Sequence, residues 1–255
     1  EMKKYGNYSL SYFELDSTRR LLAKQYEAQS EALGPAGTIK SSVEDMSHWM
    51  IAQLNKGMYN GKKVISPSVI EQTLEPNAIA DKDGRWDELS NSLYCLGRTI
   101  QTYKGIKIAS HTGSIDGFYS HLVFLPKQQL AIYVIFNAVE AGSLRPIVCY
   151  PVIDRLLNLG YTPWDQRYRA TYVIEKARGR KIVDSIKTAK VKNTSPSHPL
   201  SAYTGTYANN IYGNITIELV NNELVFAFRR QRSVLKHFHY DQFVVDDTGT
   251  DTSDF

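Results

Sequence analysis

The feature that most constrains the fold is a run of short apolar segments joined by tight turns between residues 94 and 137. Alternation of period two predicts strands over residues 94–102, 106–111, 119–125 and 130–137. Lys104-Gly105 and residues 126–129 have the composition of the turns between them. Because parallel neighbours need crossover connections of about a dozen residues or more, these short turns predict an antiparallel sheet.

Apolar residues at helical spacing flank these strands. They predict helices over residues 42–56, 67–75, 144–159 and 165–190. Ser41 or Ser42 can cap the first helix, with Glu44 or Asp45 where a capping box requires it. Pro151 is expected to kink the third helix unless it lies in a first turn. The breaker-rich residues 34–39 predict a turn.

The last part of the chain changes to short strands only. They are predicted over residues 202–208, 213–220, 223–229, 233–239 and 242–245, with a hairpin turn at Asn221-Asn222. The expected class is therefore α+β: an antiparallel sheet with flanking helices, followed by a small all-β domain. The predicted division is residues 1–160, a basic linker or helix over 161–197, and the β-rich domain over 198–255.

The positive charge of the chain is concentrated in one segment. Residues 161–193 hold nine Lys and Arg against three acidic residues, although the net charge of the whole chain is only +4. We interpret this segment as a solvated helix or linker, because no stacking aromatics are interleaved in a strand pattern as in nucleic-acid platforms. No nucleic-acid partner is expected. Neither a membrane span nor a signal peptide is predicted from the apolar runs.

Several common catalytic and metal-binding signatures are missing from the sequence. It contains no phosphate-binding loop, no His-Glu-x-x-His, no Cys-x-x-Cys and no Gly-x-Ser-x-Gly. Cys95 and Cys149 could pair or stay free. His237 and His239 could share a strand face and bind a metal, but the sequence offers no third ligand, so an aromatic-rich surface is favoured. Neither a metal nor a cofactor is expected.

The most informative motif is His111-Thr112-Gly113-Ser114, followed by Gly117-Phe118. It stands at the end of the predicted strand 106–111. Small residues at an edge strand let a substrate approach the backbone, whose N–H groups can stabilise a developing oxyanion. The motif therefore predicts a substrate-binding strand.

Three stretches resemble the serine β-lactamase and penicillin-binding-protein-like superfamily, in particular the branch near class C β-lactamases. Residues 34–46 resemble its PAG-x-I-x-S-S-x-x-D-M turn and helix start. His111-Thr112-Gly113 resembles the third active-site motif, where this branch often has His-x-Gly. Residues 200–245 resemble a small β domain that is often appended to such enzymes.

The resemblance implies a serine hydrolase that acts on an amide or ester bond of a small molecule or peptide through an acyl-enzyme. It implies that His111 orients or polarises the site and helps to bind a substrate carboxylate. Thr112 and Gly113 would contact substrate, and the backbone N–H of Ser114 would be one oxyanion donor. The superfamily also implies a location outside the cytoplasm. Members with this fold act on β-lactams, D-peptides and esters alike, so the resemblance does not identify the substrate.

The nucleophile motif of that superfamily, Ser-x-x-Lys at a helix start, has one match here, Ser233 to Lys236. This match lies in a predicted strand, where residues i and i+3 point to opposite faces, so we interpret it as a chance match. Tyr-x-Asn, the second motif, begins at Tyr5, Tyr207 and Tyr212, none at the expected place.

The chain is therefore expected to be the C-terminal part of a larger enzyme, inactive alone and with a truncated β domain. The alternative is a non-catalytic pseudoenzyme or binding module. If the missing part normally covers one sheet face, that face is exposed here and predicts a homo-oligomer.

Overall fold

The chain folds into fifteen described strands and five described α-helices. The computed structural model describes residues 6–14, 21–24, 34–81, 85–115, 117–229 and 231–245. In chain order the elements are β1 (Ser11–Glu14), β2 (Leu21–Lys24), α1 (Gly34–Gly37), α2 (Val43–Leu54), β3 (Met58–Tyr59), β4 (Lys62–Lys63), α3 (Pro67–Gln72), β5 (Ala78–Asp81), β6 (Leu89–Tyr94), β7 (Thr99–Tyr103), β8 (Ile106–Ile115), β9 (Phe118–Leu125), β10 (Leu130–Phe136), α4 (Arg145–Leu156), α5 (Trp164–Ala189), β11 (Gly205–Asn209), β12 (Gly213–Val220), β13 (Glu223–Phe228), β14 (Gln231–His239) and β15 (Gln242–Val245).

Six strands form the central sheet, in the order β10-β9-β8-β7-β6-β5, with antiparallel neighbours throughout. The predicted antiparallel sheet is confirmed. Lys104 and Gly105 both have positive φ, +46° and +80°, as a tight turn between β7 and β8 requires. Antiparallel pairing of successive strands brings the His111 motif to the middle of this sheet.

Two predicted strand boundaries are wrong. Residues 94–102 do not form one strand, because Gly97 has a φ of +75° and Cys95 N–H donates to Arg98 O, which closes a turn between β6 and β7. The strand predicted to end at residue 111 continues to Ile115, because it stays paired with β9. His111 therefore lies inside a strand and not at its end.

The helices agree with the prediction at their starts better than at their ends. Ser42 caps α2 by accepting a hydrogen bond from Asp45 N–H at 3.0 Å. The helix predicted over 67–75 stops at Gln72, since Pro76 disfavours helical backbone at the residue before it. The helix predicted over 144–159 spans only α4, with Pro151 in its interior. Residues 34–37 form one helical turn and not an irregular turn.

Helices cover both faces of the central sheet. On one face, residues of α4 and the start of α5 join the largest buried cluster: Leu89, Tyr103, Ile108, Val123, Leu125, Cys149, Tyr150, Ile153 and Trp164. On the other face, α2 packs Met50 and Leu54 against Phe124 and its neighbours. The coverage is incomplete, since all four residues of β5 are exposed, and the expectation of an exposed sheet face stays a prediction. Cys95 and Cys149 are buried, free and in different clusters.

The chain divides into two compact units, residues 1–172 and 173–255. The second unit contains a five-stranded antiparallel sheet in the sequential order β11 to β15. Asn221 and Asn222 have φ values of +49° and +63°, so the predicted hairpin turn between β12 and β13 is confirmed. The α+β class is confirmed, while the predicted boundaries at residues 160 and 197 stay predictions. Within the described ranges, no helix has both the length and the apolar character of a membrane span.

Candidate active site

His111 projects from β8 with an exposed side chain. The Tyr94 hydroxyl oxygen lies 3.3 Å from Nε2 of His111, and the two ring centroids are 6.2 Å apart. Tyr94 is the last residue of β6, and it reaches His111 because the intervening β7 begins only at Thr99, opposite Ser110. Sequence reasoning missed Tyr94, since it assigned this residue to the same strand as Thr99.

One side of β8 is unpaired from residue 111 to residue 115. These residues pair with β9 on one side, whereas β7 ends its pairing at Ser110 on the other. Among the described residues, no strand takes the place of β7 there. We call this side of residues 111–115 the open edge. The sequence-based expectation of an edge segment is confirmed for this part of β8 only.

The direction of the peptide groups in β8 follows from its hairpin with β7. Tyr103 and Ile106 close a two-residue turn, so they form a hydrogen-bonded pair, and every second residue of β8 then directs its N–H and C=O towards β7. This alternation turns the peptide groups of Thr112 and Ser114 towards the open edge. The N–H of Ser114 is therefore available to a bound group.

Arg145, the first residue of α4, holds the same segment from the side of β9. Its Nη1 donates to Gly113 O at 3.0 Å and to the Ser114 hydroxyl at 3.2 Å, and it lies 3.5 Å from Ser120 O. One nitrogen can reach both carbonyls only if both point into the gap between β8 and β9. The Gly113 carbonyl and the Ser114 N–H belong to the same trans peptide group and point in opposite directions. This contact therefore independently supports the outward direction of the Ser114 N–H.

The guanidinium of Arg145 makes two further contacts. Its other contacts are Gly142 O, at 2.9 Å from Nε, and the Tyr119 ring, whose centroid is 5.4 Å from the guanidinium carbon. No carboxylate pairs with it among the residues that the structure describes. Partial burial lowers the pKa of Arg145 from its usual high value, and the side chain remains a cation. The site thus carries a positive charge behind the open edge.

His121 on β9 stands directly opposite Thr112 and is buried, with 6% of its surface exposed. Burial, and to a smaller extent the nearby Arg145 and His111, lowers the pKa of His121 to about 4. Its Nδ1 has no hydrogen-bond partner in the described part of the chain. His121 is therefore uncharged at neutral pH. In the sequence, only the period-two alternation along β9 indicates that the side chain of His121 is buried.

Gly113 lies close to the side chain of its cross-strand neighbour. A Cβ built on Gly113 would lie 2.5 Å from Ser120 Oγ, so a side chain here would require that hydroxyl to move. The sequence argument for this glycine, close approach of substrate, stays a prediction. Thr112 lies beside it with an exposed side chain. The four predicted residues, His111 to Ser114, thus form one continuous stretch along the open edge.

The remaining sequence candidates do not form sites. Ser233 and Lys236 lie three positions apart in β14, and the Lys236 ammonium pairs with Glu223 at 2.6 Å. His239 is engaged at both ring nitrogens, by Val191 N–H at 3.0 Å and by the Gln242 side chain at 2.8 Å. In the described ranges, no three metal-ligating side chains gather into a site.

Comparison with protein-family models finds two matches. A model described as Beta-lactamase matches residues 6–146, which is more than half of the chain. A second model, described as a domain of unknown function (DUF3471), matches residues 189–254. The first match contains β8 and the whole open edge, and the second contains the five-stranded sheet.

Two curated fungal proteins and one solved structure are similar to this chain. Unguisins hydrolase ungD of Aspergillus violaceofuscus is 25% identical over 198 residues, which cover 72% of this chain and 35% of that protein. Unguisins hydrolase ungD' of Aspergillus campestris is 24% identical, covering 71% and 34%. The chain thus spans about a third of the length of both relatives. The octameric penicillin-binding protein homologue from Pyrococcus abyssi matches with a TM-score of 0.50 and 15% identity, covering 92% of this chain and 46% of that one.

Proposed function

Because the chain belongs to the β-lactamase family of hydrolases, we propose that its open edge forms one side of the catalytic cleft of a serine hydrolase. The substrate is an amide or ester of a small molecule or peptide. A serine hydroxyl attacks the carbonyl carbon, the C–N or C–O bond breaks, and water then hydrolyses the acyl-serine ester. The observation that carries the proposal is the outward N–H of Ser114 on a strand segment that no other described strand covers.

Each residue of the motif takes a role that its position allows. The Ser114 N–H donates to the oxyanion, and His111, held near the Tyr94 hydroxyl, polarises the site. The exposed Thr112 and the side-chain-free Gly113 contact the substrate. Arg145 favours a carboxylate-bearing substrate through the positive potential that it places behind the strand. The hydrolase names of both curated relatives are in line with this activity.

We propose that the nucleophile belongs to a polypeptide segment other than these 255 residues. The only Ser-x-x-Lys of the chain, Ser233 to Lys236, lies in a strand that alternates its side chains between two faces. A lysine at that spacing cannot reach the serine hydroxyl to act as its base. The open edge is then completed by a separate segment that carries the serine.

The oxyanion role of Ser114 predicts a large difference between two substitutions at one position. In the longer polypeptide that supplies the serine, Ser114→Pro removes the N–H and should lower kcat about 100- to 1,000-fold. Ser114→Ala keeps the N–H and loses only the hydroxyl contact with Arg145, so kcat should fall less than about tenfold. Because the N–H faces no strand partner, proline at this position leaves the pairing with β9 intact. Steady-state hydrolysis of a chromogenic ester or β-lactam measures both variants.

Equal activity of the proline and alanine variants would show that the Ser114 N–H does not bind the oxyanion. Circular dichroism and thermal unfolding of both variants establish that they are folded before their rates are compared.

The 255-residue chain by itself should not form an acyl-enzyme. Incubation with a fluorescent penicillin is expected to leave it unlabelled after denaturing electrophoresis, since its one Ser-x-x-Lys sequence, Ser233 to Lys236, lies in a strand and not at a helix start. Covalent labelling of this chain that a single serine substitution abolishes would contradict the proposal. If the longer polypeptide also stays unlabelled and turns over no ester, the alternative of a non-catalytic binding module is favoured.

A further inference from the structure

The contact between Tyr94 and His111 decides what the imidazole can offer to a bound group. The Tyr94 hydroxyl oxygen lies 3.3 Å from Nε2, and within the described ranges it is the one hydrogen-bond partner of the His111 side chain. Nδ1 is therefore the ring nitrogen that remains for a ligand. A neutral imidazole carries its proton on one nitrogen and accepts with the other, so the direction of the bond at Nε2 determines whether Nδ1 donates or accepts.

The chemistry of the two groups favours tyrosine as the donor. An unprotonated imidazole nitrogen is a much stronger base than a phenol oxygen, so the O–H of Tyr94 donates to Nε2 in preference to the reverse arrangement. The proton of a neutral His111 then lies on Nδ1. The ring offers an N–H donor to a ligand, which suits an acceptor group such as a carboxylate oxygen.

The main chain of Tyr94 is held on both sides. Its carbonyl accepts a hydrogen bond from Asn77 N–H at 2.9 Å, and the residue pairs with Ala78 of β5 and with Thr99 of β7. A hydrogen bond weakens steeply as its angle departs from linear, so a donor must be well placed to orient the ring that accepts from it. The paired end of β6 gives Tyr94 this fixed position.

The positive charge near His111 is provided by another residue. Arg145 donates to Gly113 O at 3.0 Å, and no carboxylate forms an ion pair with His111 in the part of the chain that the structure describes. The other titratable side chains near the ring are Tyr94 on β6 and the buried His121 on β9. In the proposed function, Arg145 therefore attracts a substrate carboxylate, and His111 needs only to supply a directed hydrogen bond.

We propose that Tyr94 is a positioning residue of the candidate site: its hydroxyl donates to Nε2 of His111, so that His111 binds a substrate carboxylate as a neutral Nδ1–H donor and not as a cation. This inference rests on the proposed function. It adds to that function the ring nitrogen and the charge state through which the site recognises an anionic ligand. Tyr94 itself acts only through His111.

Nitrogen-15 NMR of the 255-residue chain, labelled at its histidines, tests the tautomer without any need for activity. At about pH 8, above the range in which an ordinary imidazole titrates, the proton of His111 should lie mainly on Nδ1. Tyr94→Phe keeps the ring and removes the hydroxyl, so the ratio of the Nδ1–H form to the Nε2–H form should fall about fivefold, the factor for one neutral hydrogen bond. The matched control is Tyr59→Phe, since Tyr59 lies beside a different histidine, His48, with 5.2 Å between ring centroids. It should leave the His111 tautomer unchanged.

Kinetics of the longer polypeptide that supplies the serine test the effect on substrate binding. For an ester that bears a carboxylate, Tyr94→Phe should raise KM about threefold at about pH 8 and leave kcat within about twofold. The increase in KM should shrink towards about pH 6, because protonation of the ring restores an N–H at Nδ1. A purely structural role of Tyr94 would not give this dependence on pH. For an uncharged analogue of the ester, KM should not respond to the substitution.

A proton mainly on Nε2 of His111 in the unmodified chain would overturn the proposal, and this measurement does not depend on any variant being folded. A tautomer ratio that Tyr94→Phe leaves unchanged would overturn it as well. So would a rise in KM of more than about tenfold between about pH 6 and pH 8 in the unmodified enzyme, since a charged ring would then bind the carboxylate. If the longer polypeptide hydrolyses no substrate, the proposed function fails and the positioning role fails with it, whereas the NMR result separately decides the direction of the Tyr94 hydrogen bond.

Discussion

Replacing Asp154 with alanine should lower the free energy of unfolding by about 3–5 kcal/mol, the usual cost of removing one partner of a buried ion pair. Asp154 is 6% exposed on α4, where it accepts hydrogen bonds from the Tyr103 hydroxyl at 2.7 Å and from Lys104 Nζ at 2.9 Å. Trp164 Nε1 donates to the same Tyr103 hydroxyl at 3.0 Å. The carboxylate thus joins two helices to the end of β7, and its loss leaves an ammonium and a hydroxyl without their partner.

Chemical denaturation measures this cost, and a double variant separates its cause. Adding Lys104→Met to Asp154→Ala removes the unpaired ammonium, so part of the lost stability should return. Glu223→Ala is the control for an exposed pair: both side chains of the Glu223–Lys236 pair are 48% exposed, and its loss should cost at most about 1 kcal/mol. A cost below about 1 kcal/mol for Asp154→Ala would show that this carboxylate does not hold the helices.

Acidification should destabilise the chain through His121. The folded state lowers the pKa of His121 to about 4, mainly because the ring is buried, and further because Arg145 and His111 lie near it. The unfolded chain protonates this imidazole near pH 6.5, so it binds more protons than the folded state between about pH 6.5 and pH 4. The free energy of unfolding should therefore fall as the pH falls through this range, by roughly 3 kcal/mol in total.

Urea denaturation at a series of pH values isolates the contribution of this one ring. His121→Leu removes the group that titrates, so its stability should depend less on pH between 4 and 6.5 than that of the unmodified chain. His48→Gln replaces an exposed histidine on α2 and should leave the pH dependence as it was. Identical pH dependence in His121→Leu and the unmodified chain would contradict the assignment.

Local chemistry accounts for what the sequence predicted well. The turn at Lys104-Gly105 and the hairpin at Asn221-Asn222 are determined by residues that accept positive φ, so both are correct. The start of α2 depends on a serine and an acidic residue three positions later, and it is also correct. The four residues of the candidate site, His111 to Ser114, come from one short motif, and their roles stay predictions.

What the sequence could not predict arises from contacts between distant residues. Arg145 meets Gly113 only because α4 follows β10 back across the sheet, and nothing in the residues around 145 indicates that contact. Tyr94 meets His111 because β7 is one residue too short to separate them. The length of β8 is likewise decided by its partner β9, since Gly113 and Ser114 alone would indicate a strand end.

The outward N–H of Ser114 belongs to the main chain, and every amino acid except proline would supply the same donor. The direction of this N–H thus depends on the number of residues between the Lys104-Gly105 turn and position 114, and not on the identity of the side chain. In the proposed cleft, point mutations would alter the lining while leaving the donor in place, whereas the insertion or deletion of one residue between positions 106 and 114 would turn it away. The proposed donor is therefore sensitive to the length of this strand and insensitive to most substitutions at position 114.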